Sequence, residues 1–293
     1  MIKQILAISS IVLFSSAISA AEIIPYGSFN YKWSNDENSS GKSYSKLEDN
    51  GSSIGVEVID LGAEGDTITG FAKLEVGVDT DDSGSDTFDS KLAYVGLDSN
   101  MGALSVGRQS HPFADNIGGK TSIFNVYGGS SDWNYASRSS NSMKFSTTQS
   151  GITLDSIGIV DGSSTNTNAF DEFEVTISTK LFGSDVSVGY ADDVNSDISY
   201  WGVAGSTDLG PLNMSSSYTI YDAATDKYGL EVTASYSIFS VGYGDKEGTG
   251  VAYTAGVSHD LNESVSVYAE GEMKDLDSGS DTTSWSIGSK ITF

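Results

Sequence analysis

Ser284-Trp285-Ser286-Ile287-Gly288-Ser289-Lys290-Ile291-Thr292-Phe293 is written in alternation. Trp285, Ile287, Ile291 and Phe293 share one parity, broken only by Ser289, while Ser284, Ser286, Gly288, Lys290 and Thr292 occupy the other. A period of two with one apolar and one polar face marks a β-strand that touches apolar surroundings on one side. Two architectures use such a strand: a sandwich turns the apolar face into a protein core, and a membrane barrel turns it to lipid. A strand that finishes on a bare aromatic favours the barrel.

The same period recurs along the chain with almost no helical signal. Phe173, Val175, Ile177 and Leu181 alternate with Glu172, Glu174, Thr176, Ser178 and Lys180. Tyr228, Leu230, Val232, Ala234 and Tyr236 alternate with Gly229, Glu231, Thr233 and Ser235, and Val251, Tyr253, Ala255 and Val257 with Ala252, Thr254, Gly256 and Ser258. The connections separate the two architectures. Asp60-Leu61-Gly62, Asp208-Leu209-Gly210-Pro211 and Asp260-Leu261-Asn262 are tight turns, and between them lie longer acidic stretches such as 79–86, 161–168 and 275–281. Short turns alternating with long polar loops are the two unlike rims of an outer-membrane barrel. All three prolines, Pro25, Pro112 and Pro211, fall at element boundaries, where a missing N–H does least harm to a ladder.

Sixteen strands are expected, near 24–33, 51–59, 67–78, 89–98, 102–109, 138–148, 152–160, 171–181, 184–192, 198–207, 211–221, 227–237, 239–244, 250–259, 264–274 and 282–293. An even number lets the first and last strands close antiparallel. At this width side chains no longer fill the lumen, which becomes an aqueous channel. The expected fold is therefore all-β: a transmembrane antiparallel up-and-down barrel. One interval, 110–137, has neither alternation nor a short turn. A loop of this length is uncommon unless functional, and in a channel its useful place is inside, as a constriction.

The other end of the chain sets the compartment. Residues 1–21 carry one charge, Lys3, then an apolar run from Ile5 to Phe14, then Ser19, Ala20 and Ala21. This is the pattern of a secretory signal peptide, and the run is shorter than the ~20 residues of a membrane helix. Residues 22–293 are then one exported domain. Without Lys3 it holds 14 basic against 40 acidic side chains, a net charge of −26, the wrong sign for nucleic acid. The absence of cysteine rules out disulfides and thiolate chemistry, and no cofactor is expected.

Several short matches now stand in order. Tyr26-Gly27 lies in the first strand; Ser53-Ile54-Gly55 leads through Asp60-Leu61-Gly62 to Leu74-Glu75. Ala93-Tyr94-Val95-Gly96-Leu97 runs on to Gly102, Gly107-Arg108-Gln109 and Pro112-Phe113; Arg138 precedes Asn141, and the chain closes on Phe293. Over essentially the whole of residues 22–293 the chain resembles the Gram-negative general porins. The resemblance implies a homotrimer in the cell outer membrane, held among outer-membrane lipids, each barrel passing ions and small hydrophilic solutes past an inward-folded loop. It also implies acids on that loop facing bases on the wall. Asp115 and Asp132, with Lys120 beside them, are the loop candidates; Arg108 and Arg138 match the family's arginines. Arg138 shares parity with Ser140, Ser142 and Lys144, which points it into the lumen, whereas Arg108 shares parity with Leu104 and Val106 and needs a bulge to turn inward. Two positions where some relatives carry bases are Ser28 and Ser53 here, which thins the basic wall.

The expected pore-lining residues are Lys32, Glu57, Lys73, Glu75, Lys144, Glu172, Glu174, Glu231, Glu270 and Glu272. Charges on the inward face roughly balance, so the negative excess belongs to loops, and mild cation selectivity is expected from counter-ions gathered at the mouths. Three motifs carry other chemistry. Residues 114–121 satisfy the loose phosphate-loop pattern but lack its strand and helix. Asp79, Asp81 and Ser83 open like a calcium loop, yet the twelfth position is Ser90. His111 and Asp115 form a nominal base–acid pair, so an outer-membrane hydrolase is the alternative class; a non-conducting surface barrel is the third.

Overall fold

The computed structural model describes residues 21–293 apart from 64, 82–86, 130–134, 161–168, 194–197 and 223–224. The leader up to Ala20, Ser83, Asp132 and the acidic stretch 161–168 therefore lie outside the described residues. No helix among the described residues is long and apolar enough to cross a membrane. The strands are β1 Glu22–Glu37, β2 Ser43–Asp49, β3 Ser53–Leu61, β4 Ile68–Val78, β5 Phe88–Ser99, β6 Gly102–Ser110, β7 Arg138–Gln149, β8 Ile152–Ile159 and β9 Glu172–Leu181. They continue as β10 Ser184–Asp193, β11 Ile198–Leu209, β12 Leu212–Asp222, β13 Lys227–Tyr236, β14 Phe239–Lys246, β15 Gly250–Asn262, β16 Val265–Leu276 and β17 Thr282–Thr292. Each of β3 to β17 pairs antiparallel with the next, and β1 pairs with both β17 and β3, so the sheet closes into a ring.

The strand absent from the sequence reading is β2. It pairs with the upper part of β1, Tyr31 opposite Asp49, while β3 pairs with the lower part, Ser28 opposite Ser53. Between these pairs two residues of β1, 29 and 30, face three, 50–52, so β2 and β3 are two halves of one barrel strand offset by a bulge. Gly51 takes φ of 84° there, Asn50 N–H donates to Asn30 O at 2.8 Å, and Asn30 N–H donates to Ser52 Oγ at 3.0 Å. Asn50-Gly51 reads as a turn, so the sequence places the start of the strand after it. The barrel has sixteen walls, one of them split.

Polarity is inverted relative to a water-soluble fold. On β11 the outward Trp201 is 54% exposed and Val203 44%, while the inward Tyr200 and Ala204 are buried. On β9 Phe173, Ile177 and Leu181 are exposed, and Glu174 and Thr176 are buried; β13, β15 and β17 follow the same rule. A sandwich would show the reverse. An exposed band of Val, Leu, Ile and aromatics over a polar interior is what hydrocarbon requires. Closure depends on both ends: Gly27 and Phe293 exchange backbone bonds at 2.9 and 3.1 Å, and Phe29 stacks on Phe293 at 6.0 Å.

The only described break in strand structure longer than a turn that enters the barrel follows β6. It begins with a one-turn helix, α1 (Pro112–Asn116), continues through a 3₁₀ turn at Gly118–Lys120, and returns to β7. The one apolar core cluster of the described residues lies beneath it: Phe113 and Ile117 against Ala191, Tyr200 and Ala204 on β10 and β11.

Prediction: Val203→Arg puts a charge at mid-strand on the lipid face and costs about 2–4 kcal/mol. Reversible unfolding in lipid vesicles measures it; unchanged stability would contradict the outward assignment.

Candidate functional site: the loop-lined lumen

A chain segment folded into a wide polar lumen brings backbone N–H groups with no ladder partner, and each needs an acceptor. The wall supplies carboxylates. Glu174 on β9 accepts Phe113 N–H at 3.0 Å through Oε2 and meets His111 Nδ1 at 2.7 Å through Oε1. Glu231 on β13 accepts Gly129 N–H at 2.8 Å. Glu270 on β16 accepts the N–H of Asn125 at 2.6 Å, of Val126 at 2.9 Å and of Tyr127 at 3.3 Å, plus the Asn125 side-chain amide at 3.0 Å. Further bonds run from Asn116 Nδ2 to Asp155 and Thr176, from Asn50 Nδ2 to Asn125 O, and from Tyr127 OH to Asp36 at 3.1 Å. The loop thus follows the inner wall from β8 round to β16 and β1.

Wall glycines make this approach possible. A Cβ at Gly202 would lie 2.7 Å from Ile117 and 2.8 Å from Phe113, and one at Gly242 would lie 2.8 Å from Phe124. Gly189 and Gly256 extend the same recesses. Phe113 packs edge-on to Tyr135 at 5.0 Å, and Tyr135 to Tyr200 at 5.8 Å.

The expected site residues divide accordingly. Glu174, Glu231 and Glu270 point inward but are 0%, 2% and 6% exposed, because the loop covers them; they are anchors for the loop where open pore lining was expected. Glu272 is equally covered, held by Lys274 Nζ at 2.8 Å and by Thr254 Oγ1. The uncovered sector is β1 to β7. There Lys32 meets Glu48 at 3.3 Å, Lys73 meets Glu57 at 3.3 Å, and Tyr26 OH donates to Glu75 at 2.9 Å. On the loop, Asp115 meets Lys144 at 3.7 Å, and Lys144 also donates to Ser110 O. Lys73, Tyr94, Gln109, Asp115 and Lys144 border one polar cavity of about 310 Å³ between loop and wall. Lys120 lies in the 3₁₀ turn, away from this group of contacts. Glu172 begins β9, 3.6 Å from His111.

Of the two arginines that the resemblance implied, Arg138 acts electrostatically on Asp115 and Arg108 stands on the other parity. Arg108 pairs opposite Ala93, on the face of the exposed Leu104 and Val106, while Ser105 and Gln109 of the other parity are buried. Its Nε donates to Ser90 O at 2.9 Å and its Nη1 to Ser140 Oγ at 3.4 Å. The β6–β7 register shifts between Gly107 and Gln109, and Arg108 stays opposite Ala93 of β5 across that shift. Arg138 pairs opposite Ser110, and an irregularity in the β6–β7 register, with Asn141 at φ 55°, separates its alternation from that of Ser142 and Lys144. It still acts on Asp115 at longer range. Burial pushes the Asp115 carboxyl above the usual range; Lys144 and Arg138 pull the other way.

His111 and Asp115 are not a catalytic pair. His111 is 0% exposed and bonded to Glu174, and Asp115 turns to Lys144. Burial alone would lower the His111 pKa; the hydrogen bond and charge of Glu174, joined by Glu172, outweigh it and raise it. Asp79 and Asp81 follow directly on β4, a strand where a calcium loop has a helix; Asp79 accepts Asp81 N–H, and Asp81 accepts Asp49 N–H at 2.7 Å.

A closed barrel with a loop fastened along its inner wall is the arrangement against which the chain's relatives can be set. The family model described as Gram-negative porin matches residues 7–280. The chain belongs to the Gram-negative porin family. A search of curated proteins found no match. Among solved structures, OmpF of Salmonella typhi in complex with daunomycin is 17% identical, with a TM-score of 0.77 over 92% of this chain and 97% of that one. OmpT of Vibrio cholerae in its trimer form is 16% identical, with a TM-score of 0.74 over 94% and 100%. A mutant of the Rh. blastica porin is 19% identical, with a TM-score of 0.65 over 93% and 100%. At these identities the likeness is one of fold. Family and barrel together make this porin an outer-membrane channel protein.

Prediction: in the porin, Glu270→Ala leaves three backbone N–H groups without acceptors, each charge-assisted bond being worth roughly 1.5–3 kcal/mol. Hydrogen exchange at Asn125–Tyr127 is expected to quicken by about tenfold or more; unchanged exchange would show that the carboxylate does not hold the loop.

Prediction: the raised His111 pKa makes its link to Glu174 pH-dependent. The stabilisation is complete below the ordinary histidine pKa of about 6.5 and is lost as pH rises through the higher folded-state value. In EDTA, the wild-type protein should lose more thermal stability between acid and alkaline pH than His111→Gln; parallel curves would refute the linkage.

Proposed function

We propose that this porin is a passive diffusion channel for ions and small hydrophilic solutes, with the narrow passage between the inward loop and the β3–β7 wall. The observation that carries the reading is the loop itself, fastened by Glu174, Glu231 and Glu270 to one side of the lumen and leaving Asp115 opposite Lys144 and Lys73 on the other. Residues 1–21 serve as the export signal. The working form is a trimer, supported by family membership and by the trimeric relative. Asp132, in the same loop, belongs to the passage on this reading.

Mild cation selectivity follows from the charges that remain. With Arg108 on the outward face, the wall bases near the loop are Lys73 and Lys144, each already beside an acid, and Arg138, which acts on Asp115. The 40 acidic residues of the chain outnumber its bases, and acids at the channel mouths raise the local concentration of cations.

Prediction: in planar bilayers the protein gives stable conductance steps, grouped in threes if trimeric. Under a KCl gradient the reversal potential should have the cation-selective sign near 0.1 M, where the Debye length is ~10 Å, and weaken towards 1 M. Silence from folded protein would remove the channel reading. An anion-selective sign would remove the selectivity reading alone, and a preference unchanged at 1 M would move its cause from the mouths to the passage.

A further inference from the structure

The root of the inward loop holds a group of side chains that the channel reading leaves unused. His111 Nδ1 lies 2.7 Å from Glu174 Oε1 and 3.6 Å from Glu172 Oε1, and the three donor atoms all fall within 4.8 Å of one another. We propose that His111, Glu172 and Glu174 form a site for a divalent transition metal of the zinc class, fixing the loop root to β9.

Four observations favour an ion over a plain hydrogen bond. First, one imidazole is shared between two carboxyl groups, so acids outnumber the base in the group. Asp193 adds its charge beside Glu172, and the facing base, Lys144, is drawn to Asp115. Second, the two separations from the imidazole, 2.7 and 3.6 Å, bracket what a tetrahedral ion needs, and the two carboxylates lie within 4.8 Å of each other. Metal–ligand bonds of about 2.0–2.2 Å place neighbouring donors roughly 3.3 Å apart, and a shift of the imidazole by a few tenths of an ångström brings 2.7 and 3.6 Å to that value. Third, His111 is 0% exposed and among the described residues its Nε2 has no partner, so the polar contacts described for the ring run through Nδ1, the atom that would ligate. Fourth, Glu174 is already oriented from outside the group, its Oε2 accepting Phe113 N–H, which is how ligating carboxylates are normally held. Glu172, with 22% of its side chain exposed, gives the ion a way in from the lumen and leaves a coordination position for water.

Binding exchanges charge in a defined way. The ion takes the Nδ1 lone pair, and the proton on Nδ1 leaves to water, so affinity must rise with pH. One imidazole with two carboxylates prefers zinc, cobalt or nickel to calcium or magnesium, which favour all-oxygen shells.

The test uses the folded full chain in detergent, stripped with EDTA, and does not depend on conductance. Cobalt(II) titration followed by visible absorption should show one ion per chain, displaced by zinc but not by equal calcium or magnesium, and bound more tightly at pH 7.5 than at pH 5.5. His111→Gln and Glu172→Gln should each weaken binding by more than the ~10–100-fold that an outer-shell partner is worth. Glu172 is partly exposed, so its variant keeps the barrel intact if His111→Gln does not; the strand circular dichroism of each is checked first. No saturable binding, binding unchanged in the folded variants, or equal competition by calcium would each overturn the site.

Discussion

The whole structure depends on one constraint: in hydrocarbon a backbone N–H or C=O has no partner but another backbone group. A flat sheet leaves two edges unpaired. Here the edges meet, β1 against β17, and the last bonds of the seam are those between Gly27 and Phe293. Once the ring is closed, every wall has two neighbours, and alternation is free to send apolar side chains out and polar ones in. The bulge between β2 and β3 shows how tightly pairing is kept. Where one extra residue enters at 50–52, Asn30 and Ser52 side chains and backbone supply the missing partners.

Closure at this width creates a second problem. Side chains cannot fill the lumen of a sixteen-walled barrel, and a loop sent into it arrives with N–H groups that nothing in its own structure satisfies. A carboxylate is the efficient answer, because two oxygens accept several bonds at once; Glu270 takes four. Glycines opposite Phe113, Ile117 and Phe124 let the loop lie close enough for those bonds to form. Anchoring and recess together split the inner wall into two sectors. From β8 to β16 it is covered and serves as foundation; the other sector keeps its ion pairs open to the water-filled space.

Much of this was legible from residues alone, and what was not has definite causes. Period-2 alternation located sixteen walls, because lipid on one side and water on the other punish any slip in phase. The β2 half escaped because Asn50-Gly51 looks like a turn, and because Lys46 and Glu48 beside Leu47 blur the apolar face. Alternation gave the face of Glu174, Glu231 and Glu270, but not what would lie on top of them, since that depends on where a long loop folds. Parity counted from Ser142 and Lys144 does not carry to Arg138, because the pairing is broken between them and a non-glycine residue with positive φ at Asn141 gives no sequence warning. Arg108 was expected at the constriction by resemblance and against its own parity, and the register keeps it opposite Ala93, on the parity of Leu104 and Val106.

The anchors also connect the fold to the electrical character of the lumen. Each carboxylate that holds the loop accepts its N–H groups directly, so fastening the loop lines the covered wall with acids, and His111 sits against one of them, Glu174. Interactions across a low-dielectric loop are screened less than those in open water, so on the channel reading charge on these anchors adds to the bias towards cations that acids at the mouths set, while Lys32, Lys73 and Lys144 of the opposite wall each meet an acid.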